Sequence, residues 1–214
     1  MNSSKKSILN SNFTYLAAFV LPVIMMMALY YTRGIFPWGN ECYLRSDMYH
    51  QYAPFFSELW HKIRNGESLT YSWDIGMGTN FTSLFAYYLA SPSNWFVALF
   101  PQKYTIEIMN AFIILKIAGS SLSLTYYLTK HNNNKHVIAA IFGMFYGMSG
   151  FIAAYSWNIM WLDCVILVPL IMLGLERLVN ENRCIFYCIT LGLCIFTNSV
   201  SYTHLRAHET KANL

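Results

Sequence analysis

Charged side chains are scarce in this sequence. Only 11% of its 214 residues are Asp, Glu, Lys or Arg, whereas soluble domains carry about 25%. Hydrophobic residues make up 56% of the chain and aromatic residues 17%. This composition excludes an ordinary soluble domain and indicates a protein that lies in a lipid bilayer.

Several motifs of known chemistry are also missing. The five cysteines lack the C-x-x-C spacing of zinc sites, so we interpret them as small buried hydrophobic residues. The sequence contains no Gly-rich phosphate loop, no basic tract and no internal repeat. These absences argue against nucleic acid as a partner.

Long uncharged runs are present instead. The run from Ser7 to Thr32 has no charged residue and supplies the roughly 20 apolar positions that a bilayer core requires. A secretory signal peptide is the alternative, but the run is too long and no small-x-small cleavage site follows. The sequence therefore predicts a cytoplasmic N-terminus over residues 1–12 and an uncleaved transmembrane helix over residues 13–32.

Residues 105–198 are predicted to contain transmembrane helices 2 to 5. Their apolar cores cover residues 108–128, 137–155, 164–175 and 184–196. Short cytoplasmic segments carry an excess of Lys and Arg. A cytoplasmic N-terminus gathers the following residues on that side: Lys5, Lys6, Lys130, Lys135, Arg177 and Arg183. The opposite turn, residues 156–163, has no Lys or Arg, so we expect an extracytoplasmic loop over residues 33–104.

This loop has helical patterns of its own. Residues 52–65 carry an apolar stripe at helical spacing, with Glu58, His61, Lys62 and Arg64 off the stripe and Gly66 as a stop signal. Residues 75–102 are also uncharged, but Pro92 divides them into halves of about ten residues, too short to cross. We predict two helices there that lie in the membrane interface.

The end of the sequence breaks the apolar pattern. Residues 199–214 turn abruptly polar, and Ser201 to Leu214 resemble a translated sequencing-adapter read-through. We interpret this tail as non-native and the chain as an N-terminal fragment of a longer protein.

Motifs within the loop carry a family resemblance. They are Pro37-x-Gly39, Asp47-x-x-x-Gln51-Tyr52, Tyr71-Ser-Trp73, Gly76-x-Gly78-x-Asn80 and Ser91-Pro-x-Asn94, and "SWNIMWLDCVILVPLIMLGLERL" extends them to later spans. Together they resemble the bacterial membrane protein family YfhO. Each motif is weak alone, but the combination is specific.

The resemblance implies a fold and a function. The expected fold is an all-α polytopic membrane protein, with a transmembrane bundle like that of GT-C glycosyltransferases. The expected function is transfer of a sugar from a polyprenyl-phosphate donor to an extracytoplasmic cell-envelope acceptor such as teichoic acid. Its expected location is the bacterial cytoplasmic membrane, and its partners are membrane lipid, the lipid-linked sugar and the acceptor polymer. A transporter of lipids or lipid-linked sugars and a non-catalytic envelope-assembly protein are the alternatives.

Two acids are the candidate catalytic residues. GT-C enzymes have an acid early in the first outer loop, and Asp47 occupies that place. A carboxylate there would take the proton of the acceptor hydroxyl. Its alternative role is a helix N-cap. Asp163 is either a second acid or metal ligand facing Asp47, or the cap of the fourth transmembrane helix.

Other polar residues are candidate substrate ligands. A lysine inside a span is costly, so Lys116 should face the bundle interior and pair with an acid or a phosphate, with snorkelling as the alternative. The remaining candidates are His50, Gln51, Tyr52, Trp73, Asp74 and Asn80. Structural roles compete for them: a lone histidine beside aromatics, and a turn at residues 71–80 whose glycines serve backbone geometry. The sequence specifies no cofactor and leaves a divalent metal open.

Overall fold

The computed structural model of the chain describes residues 2–133 and 137–198, with side chains from residue 12 onward. The predicted non-native tail and Lys135 lie outside the described residues, as do the side chains of Lys5 and Lys6. Helices dominate, and strands are limited to one two-stranded hairpin in the described ranges. The chain is an all-α membrane protein, as the family resemblance implies.

Eight α-helices follow one another along the chain. They are α1 Asn2–Thr32, α2 Ala53–Asn65, α3 Phe81–Leu84, α4 Thr105–His131, α5 Val137–Gly147, α6 Gly150–Tyr155, α7 Trp161–Glu181 and α8 Ile185–Thr197. Two π-helical turns cover Met48–Tyr52 and Phe85–Leu89, and two 3-10 helices cover Pro92–Leu99 and Gln102–Tyr104. Strands β1 Tyr71–Ser72 and β2 Thr79–Asn80 form the hairpin.

Helices occur at all five predicted transmembrane positions. Within the described ranges, three stretches are long and apolar enough to cross a bilayer: Asn12–Thr32, Gln102–His131 and Val137–Tyr155. The third is interrupted between α5 and α6, where Ser149 begins a new helix. α7 has 21 residues, but it is not one of these three stretches because it carries four charged residues: Asp163, Glu176, Arg177 and Glu181. α8, with 13 residues, is shorter than a full span.

The helix α4 is the centre of the bundle and packs against α1, α5 and α7. Its direction is opposite to that of α1. Thr129 near the end of α4 contacts Tyr15 in the first half of α1, whereas Ile117 in the first half of α4 lines a cavity with Met26 in the second half of α1. Small residues permit close packing: a Cβ at Gly147 of α5 would lie 2.7 Å from the Ile117 carbonyl oxygen of α4. The ends of α1 and α6 and the starts of α4 and α7 therefore share one end of the bundle. Together with residues 33–104 we call this end the loop face.

The loop has the predicted helices. α2 ends at Gly66 in the left-handed conformation, with φ +67°, and the helical segment Phe81–Leu89 stops before Pro92. The second interfacial segment is a 3-10 helix rather than an α-helix. The glycines of the 71–80 turn serve backbone geometry, because Gly76 and Gly78 have φ +57° and +112°.

Two charged residues off the apolar stripe of α2 are buried. Glu58 and Lys62 are 7% and 3% exposed, because the hairpin covers that side of α2. The Ser72 hydroxyl donates to Glu58 Oε1 at 2.6 Å, and Lys62 Nζ donates to the Tyr71 carbonyl oxygen at 2.9 Å. These polar contacts attach the hairpin to α2.

The prediction of buried cysteines is wrong. Cys42, Cys184 and Cys188 are exposed, and Cys164 and Cys194 are half-buried. Cys184 and Cys188 lie at the start of the apolar helix α8. Their exposed positions lie outside the bundle interior.

Candidate functional site

Asp47 lies at the start of the π-helical turn Met48–Tyr52, directly before α2. Its position is that of an N-cap, but its side chain makes no capping hydrogen bond. The carboxylate is half-buried, and no hydrogen-bond or ion-pair partner for it is found in the described part of the chain. The alternative role of a helix cap therefore does not account for Asp47.

Aromatic side chains surround this end of α2. The Tyr52 hydroxyl donates to Asn158 Oδ1 at 2.6 Å. The Tyr52 ring centroid lies 5.3 Å from that of Tyr88 and 6.3 Å from that of Trp157. The Tyr88 hydroxyl in turn donates to Gln51 Oε1 at 3.1 Å. Gln51 and Tyr52, both predicted ligands, thus belong to one group.

Burial and the negative charge of Asp47 raise the pKa of the nearby tyrosines Tyr52 and Tyr88. Burial raises the pKa of Tyr52 most, followed by the neighbouring Tyr88 and the Asp47 carboxylate. Burial and Tyr87, followed by Asp47, likewise raise the pKa of Tyr88. Both hydroxyls therefore stay protonated at neutral pH and can donate hydrogen bonds.

Lys116 lies inside the bundle, as its sequence position predicts. It is 4% exposed, and its Nζ donates to Asp163 Oδ2 at 2.7 Å. Two further bonds run to the Ile159 carbonyl oxygen at 3.2 Å and to Ser91 Oγ at 3.3 Å. The ammonium group thus has three acceptors, the number of its donors. The alternative that Lys116 snorkels to the interface is wrong.

The structure excludes one of the two roles expected for Asp163. It lies in the first turn of α7, whose N-cap residue is Met160, so Asp163 is not the cap. Its carboxylate is engaged by Lys116. No cluster of three or more His, Cys, Asp or Glu side chains suited to a metal occurs within residues 2–133 and 137–198.

The turn between α6 and α7 connects the two groups. Asn158 accepts a hydrogen bond from Tyr52, which lies near Asp47. The next residue, Ile159, accepts a hydrogen bond from Lys116 through its carbonyl oxygen. We call the residues Asp47, Gln51, Tyr52, Tyr88, Asn158, Lys116 and Asp163 the loop-face cluster. The cluster contains five predicted site residues. Gln51, Tyr52, Lys116 and Asp163 are linked through the contacts above, and Asp47 lies next to Tyr52 without a hydrogen bond to it.

The other candidate ligands lie apart from this cluster. His50 is exposed, edge-on to Tyr49, and lines a groove of about 530 Å³ with Gln102 and Lys103. Trp73 and Asp74 are exposed on the hairpin, and Asn80 Oδ1 accepts the Ser83 N–H as the cap of α3. No hydrogen bond between described residues joins the hairpin to Asp47 or Lys116.

A large apolar groove beside the cluster has no counterpart in the sequence prediction. It encloses about 650 Å³ between the 3-10 helix Pro92–Leu99 and the first half of α4. Its walls include Phe96, Phe100 and Leu115, and its polar residues are Ser93, Tyr104, Glu107 and Lys116. The phenylalanines are visible in the sequence, but only the packing of the 3-10 helix on α4 turns them into a groove.

Comparison with protein-family models gives one finding. The model described as "Bacterial membrane protein YfhO" matches residues 17–199. The searches of curated proteins and of solved structures returned no match. The matched range contains the entire loop-face cluster and the apolar groove.

Proposed function

The chain belongs to the bacterial membrane protein family YfhO, and on this premise we propose that it is a membrane glycosyltransferase. It transfers a sugar from a polyprenyl-phosphate donor to a cell-envelope acceptor, with teichoic acid as the candidate polymer. In this proposal the N-terminus is cytoplasmic, and the loop face lies outside the cytoplasmic membrane. The observation that carries the proposal is the accessible Asp47 carboxylate, which makes no capping bond.

The surroundings of Asp47 suit a sugar. The rings of Tyr88 and Trp157 are half-buried and pack against the buried Tyr52, so their outer faces are the aromatic surfaces that a sugar can contact. The groove beside the cluster suits the lipid part of the donor, because its walls are almost entirely apolar. Lys116 also lines this groove, but its ammonium group is held by Asp163, Ile159 and Ser91, so it supports the wall of the groove.

The proposed reaction has a balanced course. The acceptor hydroxyl oxygen attacks the anomeric carbon of the sugar and forms the new glycosidic bond. The bond between that carbon and the donor phosphate oxygen breaks, and polyprenyl phosphate leaves with the electron pair. Asp47 takes the acceptor proton. Such a reaction needs a lipid donor, since nucleotide sugars are not available outside the cytoplasmic membrane.

Glycan analysis tests this proposal. Envelope polymers are isolated from cells with the gene, without it, and with the gene restored. We expect one sugar substituent to disappear with the gene and to return with it. Purified protein supplied with the lipid-linked sugar and the acceptor should form the same linkage. Unchanged polymers together with a failure of this transfer would refute the proposal.

One observation favours a second function. The buried pair of Lys116 and Asp163 places two charges inside the bundle, and charged residues within spans often mark a transport path. A transporter of lipid-linked sugars would move its substrate without breaking a bond. In the cells without the gene, the lipid-linked sugar would then accumulate on one side of the membrane. The purified protein would show no sugar transfer.

A further inference from the structure

A second cavity on the loop face lies apart from Asp47 and from the apolar groove. It encloses about 220 Å³ between α1, α4 and the corner of α5 and α6. Its floor is apolar and includes Met26, Ile117 and Met148. Its polar residues are Arg33, Arg45, Tyr43 and Ser156. The cavity thus combines a hydrophobic base with two cationic side chains.

The residues of the rim are fixed by the fold. Arg33 directly follows α1, and its N–H donates to the Leu29 carbonyl oxygen at 3.1 Å. The Tyr43 hydroxyl and Ser156 Oγ lie 2.6 Å apart, which ties the loop to the end of α6. The Tyr43 ring stacks on Tyr30 of α1, with centroids 5.5 Å apart. The Arg45 guanidinium lies 5.7 Å from the Tyr43 ring centroid.

The two guanidinium groups have no acidic counterpart. Among the side chains described from residue 12 onward, no carboxylate lies within 4.0 Å of Arg33 or Arg45. Arg183 at the other end of the bundle differs, since it contacts Glu181 at 3.4 Å. Both rim arginines are exposed and can meet a ligand. An anion is the ligand that two unpaired guanidinium groups favour.

We propose that this cavity, which we call the arginine cleft, binds the phosphate group of a membrane lipid. The planar guanidinium fork matches phosphate oxygens, and the apolar floor suits the start of a lipid chain rather than a free, fully hydrated ion. The cleft lies at the end of the bundle, where lipid headgroups meet transmembrane helices. The inference does not depend on sugar transfer.

Lipid binding can be measured with the detergent-purified protein. The probes are dihexanoyl phosphatidic acid, dihexanoylglycerol, which lacks the phosphate, and inorganic phosphate, which lacks the chains. At a hundredfold excess over Kd, phosphatidic acid should raise the apparent Tm by about 5 °C. The other two probes should leave the apparent Tm nearly unchanged.

The variant Arg33→Gln/Arg45→Gln tests the assignment. We expect its affinity for phosphatidic acid to fall by at least about tenfold, since charge-assisted hydrogen bonds contribute that much. The control Arg64→Gln/Arg183→Gln removes the same charge elsewhere and should keep the wild-type shift. If the glutamine variants do not fold, Arg33→Lys/Arg45→Lys retains the charge and should bind more weakly than wild type.

Three results would overturn the arginine cleft: equal shifts in both double variants, no shift in wild type, or equal shifts from phosphatidic acid and dihexanoylglycerol. An equal shift from inorganic phosphate would replace the lipid with a free anion and overturn the lipid assignment. The same titration in the Asp47→Asn background separates this inference from the proposed function. If wild-type protein binds phosphatidic acid but transfers no sugar, the result supports the arginine cleft alone. If it transfers sugar but its lipid binding does not depend on Arg33 and Arg45, the result supports the transferase alone.

Discussion

Asp47 occupies a helix-cap position without making a capping bond. A cap residue that makes no capping bond contributes little to helix stability. The carboxylate stays accessible and lies near enough to Tyr52 and Tyr88 to influence their pKa. A general base needs such access to a proton.

The first prediction concerns this carboxylate. Asp47→Asn keeps the size of the side chain but cannot accept a proton, so sugar transfer should fall by about 10² or more. The amount of protein in the membrane should stay unchanged, because Asp47 makes no capping bond that the change could remove. The measurement is the transfer rate in membrane fractions at matched protein level. Glu41→Gln, an exposed acid of the same loop, is the control and should behave as wild type. Retained transfer in Asp47→Asn would remove Asp47 from the mechanism.

The second prediction concerns Lys116. Lys116→Met leaves the Asp163 carboxylate without its partner, and breaking a buried ion pair costs about 3–5 kcal/mol. The variant should therefore assemble poorly, as measured by the folded fraction in size-exclusion chromatography. Lys130→Met on the same helix removes an exposed lysine and should assemble normally.

A double variant separates stability from chemistry. Lys116→Met/Asp163→Leu replaces the pair with apolar side chains, a change that is often neutral for stability. If the pair positions the loop-face cluster for sugar transfer, this variant should fold and yet fail to transfer sugar. Normal transfer by the folded double variant would mean that the pair is purely structural.

Among the elements, α2 and the hairpin form a unit held by buried polar groups. Lys62 Nζ lies 3.5 Å from Glu58 Oε1 and donates to the Tyr71 carbonyl oxygen. It also lies 5.3 Å from the Phe81 ring centroid, at the start of α3. One lysine thus contacts an acid, a strand and the next helix.

The third prediction follows from this unit. Lys62→Met leaves Glu58 buried beside only the Ser72 hydroxyl, so the hairpin should detach from α2 at a cost of about 3–5 kcal/mol. Chymotrypsin should then cut faster after Tyr71 or Trp73. Arg64→Met, an exposed change on the same helix, is the control. Equal cleavage rates for the two variants would show that Lys62 does not hold the hairpin.

Local sequence signals predict where a helix begins and ends, but they do not predict which other helices it contacts. The end of α2 at Gly66 and the break before Pro92 follow from the residues at those positions. The interior position of Lys116 follows from the cost of a charge in lipid. Its partner Asp163 lies 47 residues away, and no local pattern selects that acid over another.

Burial by a distant segment was the hardest feature to predict. Helical periodicity assigns Glu58 and Lys62 to the polar side of α2, but periodicity carries no information about the hairpin that later covers that side. The arginine cleft is similar, because Arg33 and Arg45 come together only where the loop folds onto α6. Sequence patterns describe one element at a time, whereas these sites depend on contacts between elements.

For the whole molecule, the direction of each helix determines which groups share one side of the membrane. α1 and α4 are antiparallel, and α7 runs parallel to α4, since Lys116 meets Asp163 and Tyr127 meets Glu176. Asp47, the apolar groove and the arginine cleft therefore all lie at the loop face. The connection after α4, at Asn132 and Asn133, lies at the opposite end.

The last prediction tests which end faces outward. In a background without the native cysteines, Gly66→Cys should react with an impermeant maleimide in intact cells, whereas Asn133→Cys should react only after permeabilisation. Both positions are exposed, so a difference in labelling reports the side of the membrane. The expected side follows from the excess of Lys and Arg near the other end of the bundle. Labelling of Asn133→Cys from outside would put Asp47 in the cytoplasm, where nucleotide sugars are available, and would remove the reason for a lipid-linked donor.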